Sequence, residues 1–262
     1  MKKIIVGALI ALVVLLVLTV LVVGLFLDKA IKRGVETWGP RLTKVDVRLQ
    51  SASLSLLSGS GSIKGLMVGN PPGFTTPSAI QVGTASLSLE PRSLLSDKIV
   101  VRSIIVQGPE ITFETDLKNN NLKKILANVQ ETTGGGTKEP AKPQEPGQPK
   151  EAKPTKKLQV DDFIISGGRV HVALTGLGGQ SATIPLPDIH LQSLGQGPEG
   201  ITPGELAKLV LEAVEKGATQ AAAGNVTDIG KAAINFSKDP NQAGSNALNS
   251  VSKGLGNLLK KK

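Results

Sequence analysis

Two histidines, His171 and His190, with Asp161, Asp162 and Asp188 near them, are the side chains with which this sequence could hold a metal. A zinc site needs three or four such donors converging at about 2 Å, and chains that supply them from one element space them tightly, as in H-x-x-x-H. No such spacing occurs. The residues read instead as strand-surface positions and turn formers, with Asp188 after Pro187 in a turn. Nucleophilic chemistry lacks its usual marks: the chain has no cysteine and no G-x-S-x-G elbow. Gly134, Gly135, Gly136 and Lys138 lie in a polar stretch without the strand-to-helix turn that presents a phosphate loop. No Asp or Glu pair falls in an identifiable pocket. The expectation is a protein that is not an enzyme, with no catalytic residue, metal or cofactor.

What the sequence does repeat is apolar alternation. Val45, Val47 and Leu49 alternate with polar residues, and Ala52, Leu54 and Leu56 continue on the opposite parity. Such a one-residue phase shift is what a β-bulge produces. The same pattern runs through Ile63, Leu66 and Val68, then Ile80 and Val82, then Ala85, Leu87 and Leu89, then 99–107 and 110–115. These are strands with one apolar and one polar face. Leu54, Leu56, Leu87, Leu89, Val101, Ile111 and Phe113 are the candidate lining of an apolar groove able to take acyl chains. The same residues equally suit a closed core packed against helices.

The elements that carry them are bounded clearly. Residues 119–129 read as a short helix with Leu122, Ile125, Leu126 and Val129 on one side. Residues 131–157 are rich in Pro, Gly, Lys and Glu, too polar to bury a core, and read as a disordered, semi-extended linker. Strands resume in 158–195, where Pro185 and Pro187 argue for an edge. IIVQGPEITF (104–113) aligns without gaps to FIISGGRVHV (163–172), and Val101 corresponds to Val160, which suggests one hairpin unit used twice. Thr202, Pro203 and Glu205 form a capping box ahead of a helix marked by Leu206, Leu209, Val210, Ala213 and Val214. Segments 226–236 and 248–259 complete a helical tail over 196–262.

At the other end, residues 4–27 contain no charge and are almost entirely Leu, Val and Ile. As a helix they would be about 36 Å long, enough to span a hydrocarbon core of about 30 Å. The stretch exceeds the h-region of a secretory signal, and no A-x-A-like site follows. Residues 1–27 therefore read as an uncleaved single-span anchor, with Trp38 near the headgroups. Lys2 and Lys3 favour a cytoplasmic N-terminus, while Lys29, Lys32 and Arg33 count against it, so charge alone leaves the direction open. The net charge is +9, but five Phe, one Trp and no Tyr give little for stacking on bases. The expectation is no nucleic acid and a solvated surface near a membrane.

The anchor followed by VETWGPRLTKVDVRLQSASLSLLSGSGSIKGLMVGNPPGF, then AIQVGTASLSLEPRSLLSDKIVVRSIIVQGPEITFE, the NNNLKKIL helix and LQVDDFIISGGRVHV resemble the AsmA-like proteins of Gram-negative bacteria. These are membrane-anchored and related in architecture to TamB and to chorein-type lipid-transfer proteins. The resemblance covers roughly residues 1–195. It implies a mainly β fold, a curved antiparallel sheet with an apolar groove (28–130 continuing in 158–195); the C-terminal helices depart from the family's long members, which have many more strands. It also implies an inner-membrane protein with its main domain in the periplasm, acting in outer-membrane biogenesis or envelope lipid homeostasis. The implied partners are membrane phospholipid, and an envelope protein or a second copy. Roughly ten strands at about 4.8 Å would make a groove on the order of 45 Å long. An alternative is a membrane-tethered scaffold that recruits an envelope partner through the C-terminal helices, with a closed core and no lipid.

Overall fold

The computed structural model describes residues 26–116, 119–134, 156–174 and 181–224. The expected membrane span lies outside these residues except for positions 26 and 27, as do the segments 226–236 and 248–259. Among the described residues no helix is long and apolar enough to cross a membrane.

A helix, α1 (26–43), precedes β1 (Val47–Leu54), β2 (Ser60–Val68) and β3 (Ile80–Leu89). A 3-10 turn (Pro91–Leu95) leads to β4 (Lys98–Gln107), β5 (Glu110–Thr115) and helix α2 (Asn121–Gly134). Then come β6 (Lys157–Ser166), β7 (Arg169–Leu174), β8 (Ser181–Pro185), β9 (Ile189–Leu194) and helix α3 (Pro203–Gly224). The strands form one curled, open sheet, a half-barrel of nine strands. Helix α2 outlasts the expected 129 and takes residues 131–134 from the polar linker, while Lys157 already belongs to β6.

The nine strands occupy only six lanes. β3 pairs antiparallel with β4 (Leu87 opposite Ile104), and the same register runs on into β5 (Ile80 opposite Ile111). β4 and β5 are therefore one long strand broken at Gly108-Pro109. Likewise β6 and β7 are one strand broken at Gly167-Gly168, and β8 and β9 one strand broken around Pro187. Six lanes at about 4.8 Å give a width of only about 24 Å, half the expected groove length.

The internal repeat has a different meaning from the hairpin expected. Val101 lies beside Val160, Phe113 beside Val172 and Glu110 beside Arg169, 59 residues apart. The copies are kinked single strands lying side by side, in parallel and in register. The sheet is thus mixed rather than antiparallel: β4–β6 and β5–β7 are parallel and the other pairs antiparallel. A parallel neighbour requires the chain to return to its starting end. The connection from β5 to β6 holds helix α2 and the rest of the polar linker, whose residues 135–155 lie outside the described residues.

The phase shifts also resolve differently from a β-bulge. In β1 the buried positions change from Val47 and Leu49 to the parity of Ala52 and Leu54, yet the β1–β2 register does not slip. The neighbour changes parity at the same level, because Gly65, opposite Gln50, sits at φ 62°. The change recurs in every lane: at Gly83, at Gly108 (φ 57°), at Gly167 (φ 63°) and at Pro187. Hydrogen bonds continue through it, from the N–H of Gly108 to the Ser166 carbonyl (2.8 Å) and from Leu186 to Gly168 (2.9 Å). A crease thus crosses the whole sheet, dividing it into a proximal half, beside the start of α1, and a distal half. A second, shorter break passes Ser88/Leu89, Arg102, Asp161 and Ser193, where Ser193 takes φ 60°.

Both sheet margins are protected. Along β1, α1 lays polar side chains on backbone groups that no strand pairs. Glu36 Oε1 accepts the Leu49 N–H (3.1 Å), Asp28 Oδ1 the Leu54 N–H (2.9 Å), and the Lys32 ammonium donates to the carbonyls of Leu49 and Gln50 (3.2 Å to the latter). The bond from Leu49 chiefly holds the Glu36 carboxyl below its usual range. At the far margin, Pro185 and Pro187 withhold donors.

At the distal end a buried charge locks the 69–79 loop. Glu114, 0 % exposed, accepts hydrogen bonds from the N–H and hydroxyl of both Thr75 and Thr76 (2.6–3.0 Å). Asn121 joins this loop to β5 and α2: its Oδ1 accepts from Glu114 N (3.0 Å) and Leu122 N (2.9 Å), and its Nδ2 donates to Asn70 Oδ1 (2.7 Å). Burial pushes the Glu114 carboxyl up, but the threonine hydrogen bonds outweigh it and hold it below the ordinary glutamate value.

Two predictions follow from the crease and the buried charge. Gly65→Ala must hold a left-handed residue and place Cβ 2.7 Å from the Gln50 Cβ, so it should cost about 2 kcal/mol or more in urea unfolding. Gly83→Ala, with nothing within 4 Å, should cost under about 1 kcal/mol. Because the folded-state Glu114 carboxyl is depressed, its contribution is present above the ordinary glutamate value and is lost as pH falls through the folded one. Glu114→Gln should therefore be less stable at pH 7 and show a flatter acid limb in thermal melts from pH 7 to 3.

Candidate functional site: an apolar trough under a half-roofed sheet

The crease separates two environments on the concave face. In the distal half, Ile111, Phe113, Val170, Val172, Ile184 and Leu186 are buried with Leu122 and Ile125 of α2 and Val214, Ala218 and Ala221 of α3. Helix α2 packs on β5 and on α3, and α3 packs on β5, β7 and β8 and reaches across the crease onto β9 at the margin of the proximal half. The far end of α2 reaches back to the start of β1: Asn128 Nδ2 donates to the Thr43 carbonyl (2.8 Å), and Glu131 pairs with Lys44 (2.6 Å). Small residues permit the close seat of α3, with Gly217 directly over Leu186 and Ile189. The capping box holds its start, the Glu205 N–H donating to Thr202 Oγ1 (3.1 Å) and the Thr202 N–H to Glu205 Oε2 (2.6 Å). The Thr202 N–H and then its hydroxyl, both donating to Glu205 Oε2, lower the Glu205 carboxyl.

The proximal half is curled but, among the described residues, has no helix laid across its full width. Ala85, Leu89, Val101, Val106, Val160, Phe163 and Ile165 form its floor. Leu54, Ile63, Leu87, Leu94, Ile99, Ile104, Leu191 and Leu194 stand half-buried around that floor. The result is a trough of apolar side chains, aliphatic but for Phe163. Such a surface has no directional chemistry. It selects apolar ligands by area alone.

The proposed lining residues divide across this boundary. Leu54, Leu87, Leu89 and Val101 lie in the proximal trough. Ile111 and Phe113 lie in the distal half, 1 % and 2 % exposed beneath α2 and α3. Leu56 lies beyond the end of β1 in the turn to β2, half-buried. Ile63, Leu94, Ile99, Ile104, Leu191 and Leu194 join the trough without having been singled out as lining. Their alternation was the available signal, but parity shows only which face they share, and cover depends on where the helices dock.

The residues suggestive of metal chemistry are not brought together. By alternation His171 and His190 point away from the trough. His171 Nε2 meets Glu110 Oε2 (2.5 Å) and its Nδ1 meets Thr183 (2.9 Å). His190 Nε2 meets Asp162 Oδ1 (2.7 Å). The Arg169 guanidinium, then His171, hold the Glu110 carboxyl low, and His190 does the same for Asp162. Asp188 Oδ1 accepts the Gly167 N–H (3.2 Å) in the crease. Among the described residues no group of three or more His, Cys, Asp or Glu could hold a metal ion.

A curled, open sheet with an apolar concave face, roofed by helices at one end, defines a class of half-barrel proteins. The chain belongs to the AsmA family, whose model matches residues 1–250. No curated protein and no solved structure matches it.

The two halves should respond differently to truncation. Phe113→Ala, opening a cavity under the roof, should cost about 3–5 kcal/mol, and Leu87→Ala, already half-exposed, about 1 kcal/mol. Denaturant unfolding of both variants measures the difference.

Proposed function

We propose that the proximal trough holds the apolar part of a membrane phospholipid, and that the protein acts without catalysis in envelope lipid homeostasis or outer-membrane biogenesis. The observation that carries this reading is the unequal cover of one continuous apolar face. The distal half is sealed by α2 and α3, while the proximal half leaves Leu54, Leu87, Ile99, Ile104 and Leu194 half-exposed inside a curled sheet. An apolar concavity of this kind is costly to leave against water, at about 25 cal/mol per Å². An acyl chain removes that cost without any specific polar contact.

The size of the sheet sets the scale of the activity. The trough runs along the strands towards the strand ends of the proximal half, and its six lanes give it a width of about 24 Å, room for acyl chains lying lengthwise side by side. The protein works at one membrane surface, handing lipid to a partner protein or to a second copy. The site of action is the periplasmic face of the inner membrane, with residues 4–27 as the anchor and the N-terminus in the cytoplasm. Family membership and the open sheet support this reading. Use of the C-terminal helices to recruit a partner is less well supported for α3, whose Val214, Gly217, Ala218, Ala221 and Ala222 are already buried.

The test is lipid content. Residues 28–262, produced without the apolar segment and purified without detergent, should retain phospholipid detectable by mass spectrometry. Leu87→Gln and Ile104→Gln should lower the lipid per chain several-fold while leaving circular dichroism unchanged. A folded, lipid-free protein would sink the reading.

A further inference from the structure

Phe26, Trp38, Leu57 and Leu95 are the large apolar side chains most exposed among the described residues, at 71, 68, 80 and 94 %. Three of the four gather at one end of the sheet. Leu57 is in the β1–β2 turn, and Leu95 ends the 3-10 turn between β3 and β4. Phe26 opens the described part of α1, placed beside the end of β1 by the Asp28–Leu54 hydrogen bond (2.9 Å). Trp38 is the exception. It lies twelve residues further on, about 18 Å along the helix axis, with the Arg41 guanidinium 5.2 Å from its ring centre.

The exposed leucines are rigidly held. The Leu89 N–H donates to the Gly59 carbonyl (2.8 Å), which ties the β1–β2 turn to the chain just before the 3-10 turn. A Cβ on Gly59 would fall 2.1 Å from the Leu89 carbonyl oxygen, so the two turns meet backbone to backbone. Behind them the Lys156 ammonium donates to the Leu94 carbonyl (2.5 Å), and the Lys157 N–H donates to the Asp97 carbonyl (3.0 Å). The turns form one ledge. Leu57 and Leu95 project from it beside the serines 58, 60 and 96, with Arg92, Asp97 and Lys98 close to Leu95 in the chain and Asp28 held at the end of β1. Apolar tips among hydroxyls and charges of both signs suit the boundary between headgroups and acyl chains.

We propose that this ledge docks on the bilayer that holds residues 4–27, with Leu57 and Leu95 seated among the headgroups and upper acyl chains, so that the proximal mouth of the trough opens directly onto lipid. The proposal rests on the reading of residues 4–27 as an anchor. The occupant follows from continuity: Phe26 belongs to the uncharged segment and sits at the ledge, so the membrane that takes that segment meets the ledge first. The half-buried Leu54, Leu87, Leu94 and Leu194 then connect the ledge to the trough floor without a polar gap.

The chain contains no cysteine, so single-cysteine labelling reads the geometry directly. The full chain is reconstituted into phosphatidylethanolamine/phosphatidylglycerol vesicles containing nitroxide-labelled lipid, with a fluorophore at Leu57→Cys, Leu95→Cys, Lys123→Cys on the distal end, or Val14→Cys in the anchor. Quenching at 57 and 95 should be several-fold stronger than at 123 and strongest with the nitroxide near the headgroup. Quenching at 14 together with water-like behaviour at 57 and 95 would overturn the docking and leave the anchor standing. Absence of quenching at 14 as well would overturn both. Shielding of 57 and 95 from an aqueous quencher without lipid quenching would assign the ledge to a protein partner and equally overturn the proposal.

Discussion

Everything in this half-barrel depends on where alternation is broken. A β-strand puts successive side chains on opposite faces, so a strand that bends sharply must change which residues face inward or expose its core. Here every lane makes that change at the same level: a left-handed glycine stands there at 65, 108 and 167, Gly83 in β3 and Pro187 in the last lane, while β1 changes at Gln50 and Ser51 without a special residue. Because neighbouring strands change together, the register is the same on both sides of the crease, although the regular pairing skips the crease residues themselves. The sheet can therefore curl as a unit while presenting one continuous apolar face. Left-handed backbone costs an L-residue about 1–2 kcal/mol, which is why glycine fills three of these positions.

The crease also divides the labour of the molecule. Beyond it, helices α2 and α3 seal the face, and a fully hydrogen-bonded set around Glu114 and Asn121 fixes the loop beside them. A buried carboxylate is tolerated there because Thr75 and Thr76 supply donors that replace its water. Before it, the same apolar face is left partly uncovered. The stable half gives the open half a rigid frame, which an apolar site needs if it is not to collapse on itself. Covering of β1 by Asp28, Lys32 and Glu36, and the prolines at the opposite margin, keep the open sheet from pairing with other strands.

Much of this was legible in the sequence. The strands, the capping box at Thr202, the polar linker and the family resemblance all rest on local signals: period, turn residues and composition. The phase shifts were visible too, at Leu49/Ala52, Val82/Ala85, Ile165/Val170 and Leu186/Ile189. The first reads as an isolated bulge and the others as turns or interruptions, because a sequence shows each strand alone. The 59-residue repeat was visible, but alignment does not distinguish two hairpins from two strands lying side by side. Pairing partners far apart in the chain set that difference.

By itself the sequence determined which residues face inward and where each strand must bend, because both follow from side-chain alternation and from the conformational freedom of single residues. Only the tertiary structure decided that the bends fall in one line, that the repeat is a parallel pair, and that Phe113 is sealed while Leu87 is not. Those facts depend on which segments pack together. Cover over an apolar residue belongs to its neighbours in space, and the period of its own strand carries no record of them.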